Sequence, residues 1–220
     1  MMVSSVIGKE KVVSVYLKQI GKMRTNLDSK WMNFTAIQHF NIENPAFVWT
    51  TKVDALPIIN MIGRCKLYKG KGKMLIKLAG LISIVNEGEN DKINQGAMIR
   101  FLAKICWFPS ANIYNYISWE MIDSTLAKAT LTINDKTVSG GFSFTIEGDL
   151  VAFEAIRYYG GKTNSKLKKW AIKMNCYKEF NGIKIPNKSN VIWRLKEGDF
   201  NWLDLEIIDL RYNLKTAFQK

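Results

Sequence analysis

Apolar and polar residues alternate with a period of two along most of this chain. No other feature restricts the fold as much, because only an extended strand sends successive side chains to opposite faces. Over residues 31–40, Met32, Phe34, Ala36, Gln38 and Phe40 share one face, and Trp31, Asn33, Thr35, Ile37 and His39 share the other. Asn44 and Pro45 signal a turn, and residues 47–53 read as the returning strand of a hairpin. The pattern resumes after Gly70 and Gly72 over 73–85, as one long strand or a bent pair. It recurs over 126–133, 142–146, 150–159, 170–180, 190–195 and 201–212, with turn signals at Asn134-Asp135, Gly148, Asn181-Gly182, Pro186 and Gly198-Asp199. In the last of these, Leu203, Leu205 and Ile207 oppose Asp204 and Glu206, so one face is wet.

The period changes once. Over 94–108, Met98, Phe101, Leu102, Ile105 and Phe108 fall at helical spacing, with Gln95, Arg100 and Lys104 on the other side. Asn94 is placed to cap that helix and Pro109 to stop it, and Ser110 can open a second short helix reaching 117. Residues 12–20 read equally as helix or strand. Strands joined in order by tight turns make an antiparallel meander, whose apolar face the helical insertion at about 94–117 must cover. The expected fold is therefore mainly β (α+β): a strongly curved antiparallel sheet, an open or half barrel with a helical plug, in one domain spanning 1–220. Such a shape favours a cavity between sheet and helix.

Composition decides the class of partner. At 47% hydrophobic and 23% charged, with 4 Pro, the chain suits a packed core and not a disordered or low-complexity one. The net charge of +13 attracts anionic surfaces, yet the basic residues comprise 26 Lys and only 6 Arg. Nucleic-acid readers lean on Arg forks, so the excess reads as a solvated surface, with an anionic membrane as a candidate partner and nucleic acid disfavoured. Cys65, Cys106 and Cys176 are odd in number and widely spaced, without a CxxC, so neither a disulfide framework nor a zinc site is expected. Free thiols suggest a reducing compartment. The N-terminal stretch, with Lys9, Glu10 and Lys11, lacks the apolar core of a secretion signal, and no run reaches the roughly 20 apolar residues of a membrane span. A soluble protein in the cytoplasm is expected, with peripheral membrane contact open to it.

Catalytic signals are weak. His39 is the only histidine, and beside Phe40 in a strand it reads as packed or surface-lying. Ser143 lacks the second glycine of a nucleophile elbow. Lys69-Gly70-Lys71-Gly72-Lys73 precedes a strand and not a helix, so it reads as a basic hairpin turn and not a phosphate cradle. Lys162, Lys166, Lys168, Lys169 and Lys173 around Trp170 read as a solvated loop. Glu120 or Glu154 could serve as acid or base in a cofactor-free enzyme acting on an apolar substrate. Asp123 lies near the first, and Glu154 and Arg157 point to opposite faces of a strand. No metal and no cofactor are expected.

Several segments are similar to a prokaryotic family of uncharacterised proteins. They are 31–38, 47–49, Gly70-Lys-Gly-Lys-Met74, Gln95-Gly96 with 100–103, Trp107-Phe-Pro109, 154–158 and 182–186. The family is known only as a domain of unknown function, and the resemblance spans about residues 15–213. Its members often carry acidic residues where this chain has Ala97 and Lys104, and some are attached to membrane segments. More distantly, a curved sheet with a helical plug is similar to the periplasmic lipoprotein carriers and to a cofactor-free enzyme of violacein synthesis. That analogy bears on fold and only weakly on activity.

The expected function is non-catalytic binding of a hydrophobic small molecule or lipid between the concave sheet and the helix. Phe34, Trp49, Phe101, Trp107 and Trp119 would supply the apolar wall, and Gln38 and Arg157 the polar handles. An interaction module using its Lys-rich face is the remaining alternative.

Overall fold

Each alternating segment becomes a strand with its apolar side turned inward. The computed structural model describes residues 11–56, 58–88, 90–160 and 164–214; Lys9, Glu10 and Lys162 lie outside them. The first half is a meander of β1 (Ser14–Met23), β2 (Met32–Asn41), β3 (Ala46–Asp54), β4 (Asn60–Tyr68), β5 (Lys71–Leu78) and β6 (Ile82–Gly88). Helix α1 (Asp91–Ala103) and two 3-10 turns, Ile105–Trp107 and Pro109–Ile113, lead to β7 (Ile117–Met121), β8 (Leu126–Ile133), β9 (Lys136–Phe144), β10 (Leu150–Tyr158) and β11 (Leu167–Met174). A small hairpin, β12 (Tyr177–Phe180) and β13 (Ile183–Pro186), precedes β14 (Lys188–Leu195) and β15 (Gly198–Tyr212).

Among the described residues, thirteen strands form one sheet in the order β6-β5-β4-β3-β2-β1-β15-β14-β11-β10-β9-β8-β7, and β12 and β13 pair apart from it. Every pairing is antiparallel, and β1 with β15 joins the two meanders. Helix α1 packs on β4 and β5 of one half and on β8, β9 and β10 of the other. The sheet therefore curls round it as a half barrel with a helical plug, as the alternation implied.

Register stacks the inward residues into rows across β1 to β5. One row is Val15, Phe40, Phe47, Leu67 and Gly72, and the next is Leu17, Gln38, Trp49, Cys65 and Met74. Beyond them run Gln19, Ala36, Thr51, Gly63 and Ile76, then Gly21, Phe34, Val53, Met61 and Leu78. The first row lies under the plug. There Phe40 meets Phe108 at 4.7 Å and Phe101 at 6.2 Å between ring centroids, and all three rings are fully buried. Each such ring stabilises the fold by about 1.5–3 kcal/mol through its burial.

The helix differs from expectation at both ends. Its cap is Asn90, whose Oδ1 accepts the Ile93 N–H at 2.9 Å. Asn94 lies inside the helix, buried, and its Oδ1 accepts the Gly72 N–H at 2.7 Å. At Gly72 the strand approaches so closely that an added Cβ would stand 2.6 Å from the Ile93 carbonyl oxygen. After Ala103 the chain tightens into i to i+3 bonds, Trp107 N–H to Lys104 O and Phe108 N–H to Ile105 O, both 3.0 Å. Phe108 is extended, at φ −144°, as a residue before proline prefers.

The second short helix is only the 3-10 turn Pro109–Ile113, and Ile117 already begins β7. The 73–85 segment is a bent pair turning at Ala79 and Gly80, both at positive φ (52° and 72°). Residues 170–180 divide between β11 and β12, and the ambiguous stretch 12–20 is largely the strand β1. Strands β4, β7 and β13 were not anticipated.

Candidate functional site

The seven expected ligand residues do not form one group. Phe34, Gln38 and Trp49 lie on the concave face of β2 and β3, and Arg157 on that of β10, across the plug. Phe101 and Trp107 are core residues. Trp107 donates its Nε1 to the Pro186 carbonyl at 3.2 Å, and its own carbonyl accepts the Tyr212 hydroxyl at 2.9 Å. Trp119 packs separately on Phe142, 5.1 Å between ring centroids. Phe40, Phe101, Leu102 and Phe108 fill the space directly under the helix. The concave surface left open is the part beyond the helix's reach.

A polar layer marks the boundary. Gly96, Arg100 and Lys104 follow one another at four-residue steps down one helix face. Arg100 and Lys104 were expected to face water, but the sheet wraps both flanks of the helix and turns this face toward it. Lys104 is 8% exposed and donates its Nζ to Gln38 Oε1 at 2.7 Å. Arg100 lies over the rings of Trp49 and Phe47, at 5.2 and 5.5 Å. Trp49 donates its Nε1 to the buried Gln19 Oε1 at 2.9 Å. Arg157 is held between Trp170 and Trp193, at 5.0 and 5.4 Å. It fits there because Gly96 has no side chain, for a Cβ at that position would stand 3.1 Å from Arg157 Nε.

Burial holds the Lys104 ammonium well below its ordinary pKa, with repulsion from Arg100 adding to it. Burial, helped by Arg100, draws the Arg157 guanidinium down to about 9, which leaves it charged at neutral pH.

Past this layer the concave face turns apolar and half-exposed. Met23 pairs with Met32 across β1 and β2, Met61 pairs with Val53, Met74 pairs with Cys65, and Leu205 pairs with Gly21. Met23, Met32, Met61, Met74, Trp49 and Leu205 are only partly buried. None of these methionines was expected from sequence to touch a ligand. They meet only through register across four turns, which a linear reading does not reveal.

Two shallow clefts open instead on the outer face. The larger, about 600 Å³, is walled mostly by outward residues such as Ile20, Lys22, Thr35, Asp204 and Glu206, reaches the inward Gly21 and Leu205 between them, and touches Phe34 alone of the seven. The smaller, about 350 Å³, lies between Ile20, Ile37, Ile62 and Ile208 with Lys18 and Lys52.

The acid-base candidates are also outside. Glu154 pairs with Lys169 at 3.5 Å and Arg194 at 3.7 Å, and Glu120 with Lys128 at 3.2 Å. These carboxylates alternate away from the concave face, so neither faces a molecule held there. His39 packs against Tyr16 with the rings tilted, 5.0 Å between centroids, on the same outer side, and burial lowers its pKa. Gly70, at φ 75°, makes the lysine-glycine segment a hairpin turn between β4 and β5. Among the described residues no group of three or more His, Cys, Asp or Glu is placed to hold a metal, and no helix is long and apolar enough to cross a membrane.

Over residues 1–212 the chain matches the model of a family described as Family of unknown function (DUF6920). No curated protein matches it. Among solved structures it is similar to a DUF1329 family protein from Desulfovibrio piger ATCC 29098, with 10% identity, 96% of this chain and 89% of that one covered, and a TM-score of 0.52. It is also similar to a Vibrio parahaemolyticus domain assigned to outer membrane lipoprotein sorting, with 10% identity, 97% and 90% covered, and a TM-score of 0.50. A β-barrel-like protein of the DUF1849 domain from Brucella abortus gives 7% identity, 93% and 99% covered, and a TM-score of 0.38.

The Vibrio likeness overturns the cytoplasmic location expected from sequence. The thiol argument behind that expectation also fails physically. Cys65 is buried and burial pushes the Cys106 thiol up to about 12, so neither offers the thiolate that oxidation requires, and the exposed Cys176 is left without either as a disulfide partner.

Proposed function

The chain belongs to the Family of unknown function (DUF6920), and on that premise we propose that it is a non-catalytic binding protein for a hydrophobic molecule, a lipid or a single acyl chain. The observation that carries this reading is the strip of half-exposed apolar side chains on the concave face, Met23, Met32, Met61, Met74, Trp49 and Leu205. A monomeric protein gains by burying such a surface, and methionine is the side chain that adapts most readily to an irregular apolar guest. The bound molecule lies along the rows beyond the plug, from the mouth at Met23 and Met32 toward Trp49. Phe101, Trp107 and Trp119 support the fold and do not touch it. A fold shared with a domain assigned to outer membrane lipoprotein sorting supports a ligand of lipid character and a location outside the cytoplasm. The lysine-rich exterior suits delivery to or from an anionic membrane surface.

The test is fluorescence titration with N-phenyl-1-naphthylamine, a neutral apolar probe. Met61→Lys puts an ammonium into the wall, and stranding that charge beside the probe should weaken binding by about tenfold or more. Ile62→Lys, one residue on and facing outward, should leave binding as it is. Equal affinity of the wild-type and Met61→Lys proteins would refute the location of the site.

A further inference from the structure

We propose that the molecule bound here is an amphiphile with an anionic end, a carboxylate or a phosphate, and that Arg100, Lys104 and Arg157 receive that end below the apolar strip. This rests on the hydrophobic-binder reading and names the chemistry of the ligand's polar end.

Three cations, the buried Lys104 and the partly buried Arg100 and Arg157, sit together in this layer with no compensating acid. Among the described residues no Asp or Glu comes within ion-pair distance of any of them. Their positive charges meet only aromatic faces and one amide oxygen. Arg100 has Trp49 and Phe47, Arg157 has Trp170 and Trp193, and Lys104 has Phe47 at 5.4 Å, Trp107 at 5.6 Å and Gln38 Oε1. Rings and an amide leave the Lys104 charge above all undercompensated, because a buried ion needs a counter-ion and full hydrogen bonding.

The unsatisfied atoms in this layer independently point the same way. Gln38 Nε2, Arg157 Nε and Trp170 Nε1 are buried without a hydrogen-bond partner. Gln38 is fully buried, and its orientation is set by Lys104, since only the amide oxygen can face an ammonium. All three orphans are donors. What the layer lacks is therefore an acceptor, and an oxyanion supplies several acceptor sites together with the missing charge.

The geometry also places this charge at the right depth. Gln38, Trp49 and Cys65 form the row next to the plug, while Phe34, Val53 and Met61 form the row nearer the mouth. An acyl chain along the methionines ends at the cations. Burial of Lys104, which lowers its proton affinity in the empty protein, is relieved when an anion binds.

The test compares hexadecanoate, hexadecyl phosphate and hexadecanol for binding to the full chain by calorimetry in detergent-free buffer. At least one anion should bind about tenfold or more tightly than the alcohol, as hydrogen bonds to charged groups require, and the preferred one identifies the head group. Lys104→Met and, separately, Arg157→Gln should each shrink the anion's advantage over hexadecanol by about tenfold or more. Circular dichroism reports whether either variant fails to fold, and the other then decides. Equal binding of alcohol and both anions by the wild-type protein overturns this inference alone. Binding of none of the three overturns the hydrophobic-binder reading as well.

Discussion

Replacing Gly72 by alanine tests how the plug is seated. The added Cβ would stand 2.6 Å from the Ile93 carbonyl oxygen and 2.9 Å from Ala97 Cβ, where ordinary contact begins at about 3.5 Å. Relief requires α1 and β5 to separate by close to 1 Å, and overpacking of this kind costs about 1–3 kcal/mol. The same movement stretches the 2.7 Å bond from Gly72 N–H to Asn94 Oδ1 past hydrogen-bond range. Two buried polar groups are then unsatisfied, at about 1–3 kcal/mol. Against this, alanine recovers about 0.5–1 kcal/mol of strand entropy.

The net expectation for Gly72→Ala is a loss of about 2–4 kcal/mol, read in urea titrations followed by tryptophan fluorescence as a lower midpoint with an unchanged slope. Gly141→Ala is the matched control. A Cβ there would meet only Leu126 Cδ1, at 3.4 Å, and stability should stay within about 0.5 kcal/mol of wild type. A wild-type midpoint for Gly72→Ala would refute the close seating of the helix on β5.

Two further outcomes follow from the charges. Because burial depresses the Lys104 pKa in the folded protein below the 10.5 of the unfolded chain, the unfolded state binds the extra proton between those two values, and stability rises with pH through that window. Below the depressed value the cost is present in full. The stability difference between wild type and Lys104→Met should therefore move in favour of wild type as pH climbs toward 10.5; parallel pH profiles in urea melts would contradict a buried, uncompensated Lys104. Neutralising Glu120 and Glu154 together, as Glu120→Gln with Glu154→Gln, should leave ligand affinity unchanged and cost under about 1 kcal/mol in all, since both belong to exposed ion pairs. Loss of binding in that double variant would restore the carboxylates to the site.

Strands were legible because one-sided burial imposes a period that survives without knowledge of partners. In β2 the predicted inward set, Met32, Phe34, Ala36, Gln38 and Phe40, is the set that faces the core. Gln38 stood out even then as the one polar residue on that side. In β4 the alternation of Met61, Gly63, Cys65 and Leu67 is equally regular, but Gly63 contributes no hydrophobic signal and the strand was missed.

The helix was misread for a different reason. Arg100 and Lys104 have the spacing of a wet face, and only a sheet that wraps both flanks of the helix turns that face inward. Asn94 looked like a cap because it stands at the start of the apolar run, whereas the covalent neighbourhood of Asn90, followed by Asp91, holds the better first turn. The location was misjudged because the sequence counts cysteines without showing which thiols are shielded. Of the apolar strip only Trp49 was named from sequence as a ligand residue, since Met23, Met32, Met61 and Met74 converge only through strand pairing.

Native mass spectrometry of the full chain, before and after incubation with mixed membrane lipids containing free fatty acids, addresses the central claim most directly. The account predicts a stoichiometric adduct that denaturation releases as an anionic, single-chain amphiphile, and that Met61→Lys fails to retain. A clean apo mass under both conditions would contradict the proposal that this concave face holds a lipid.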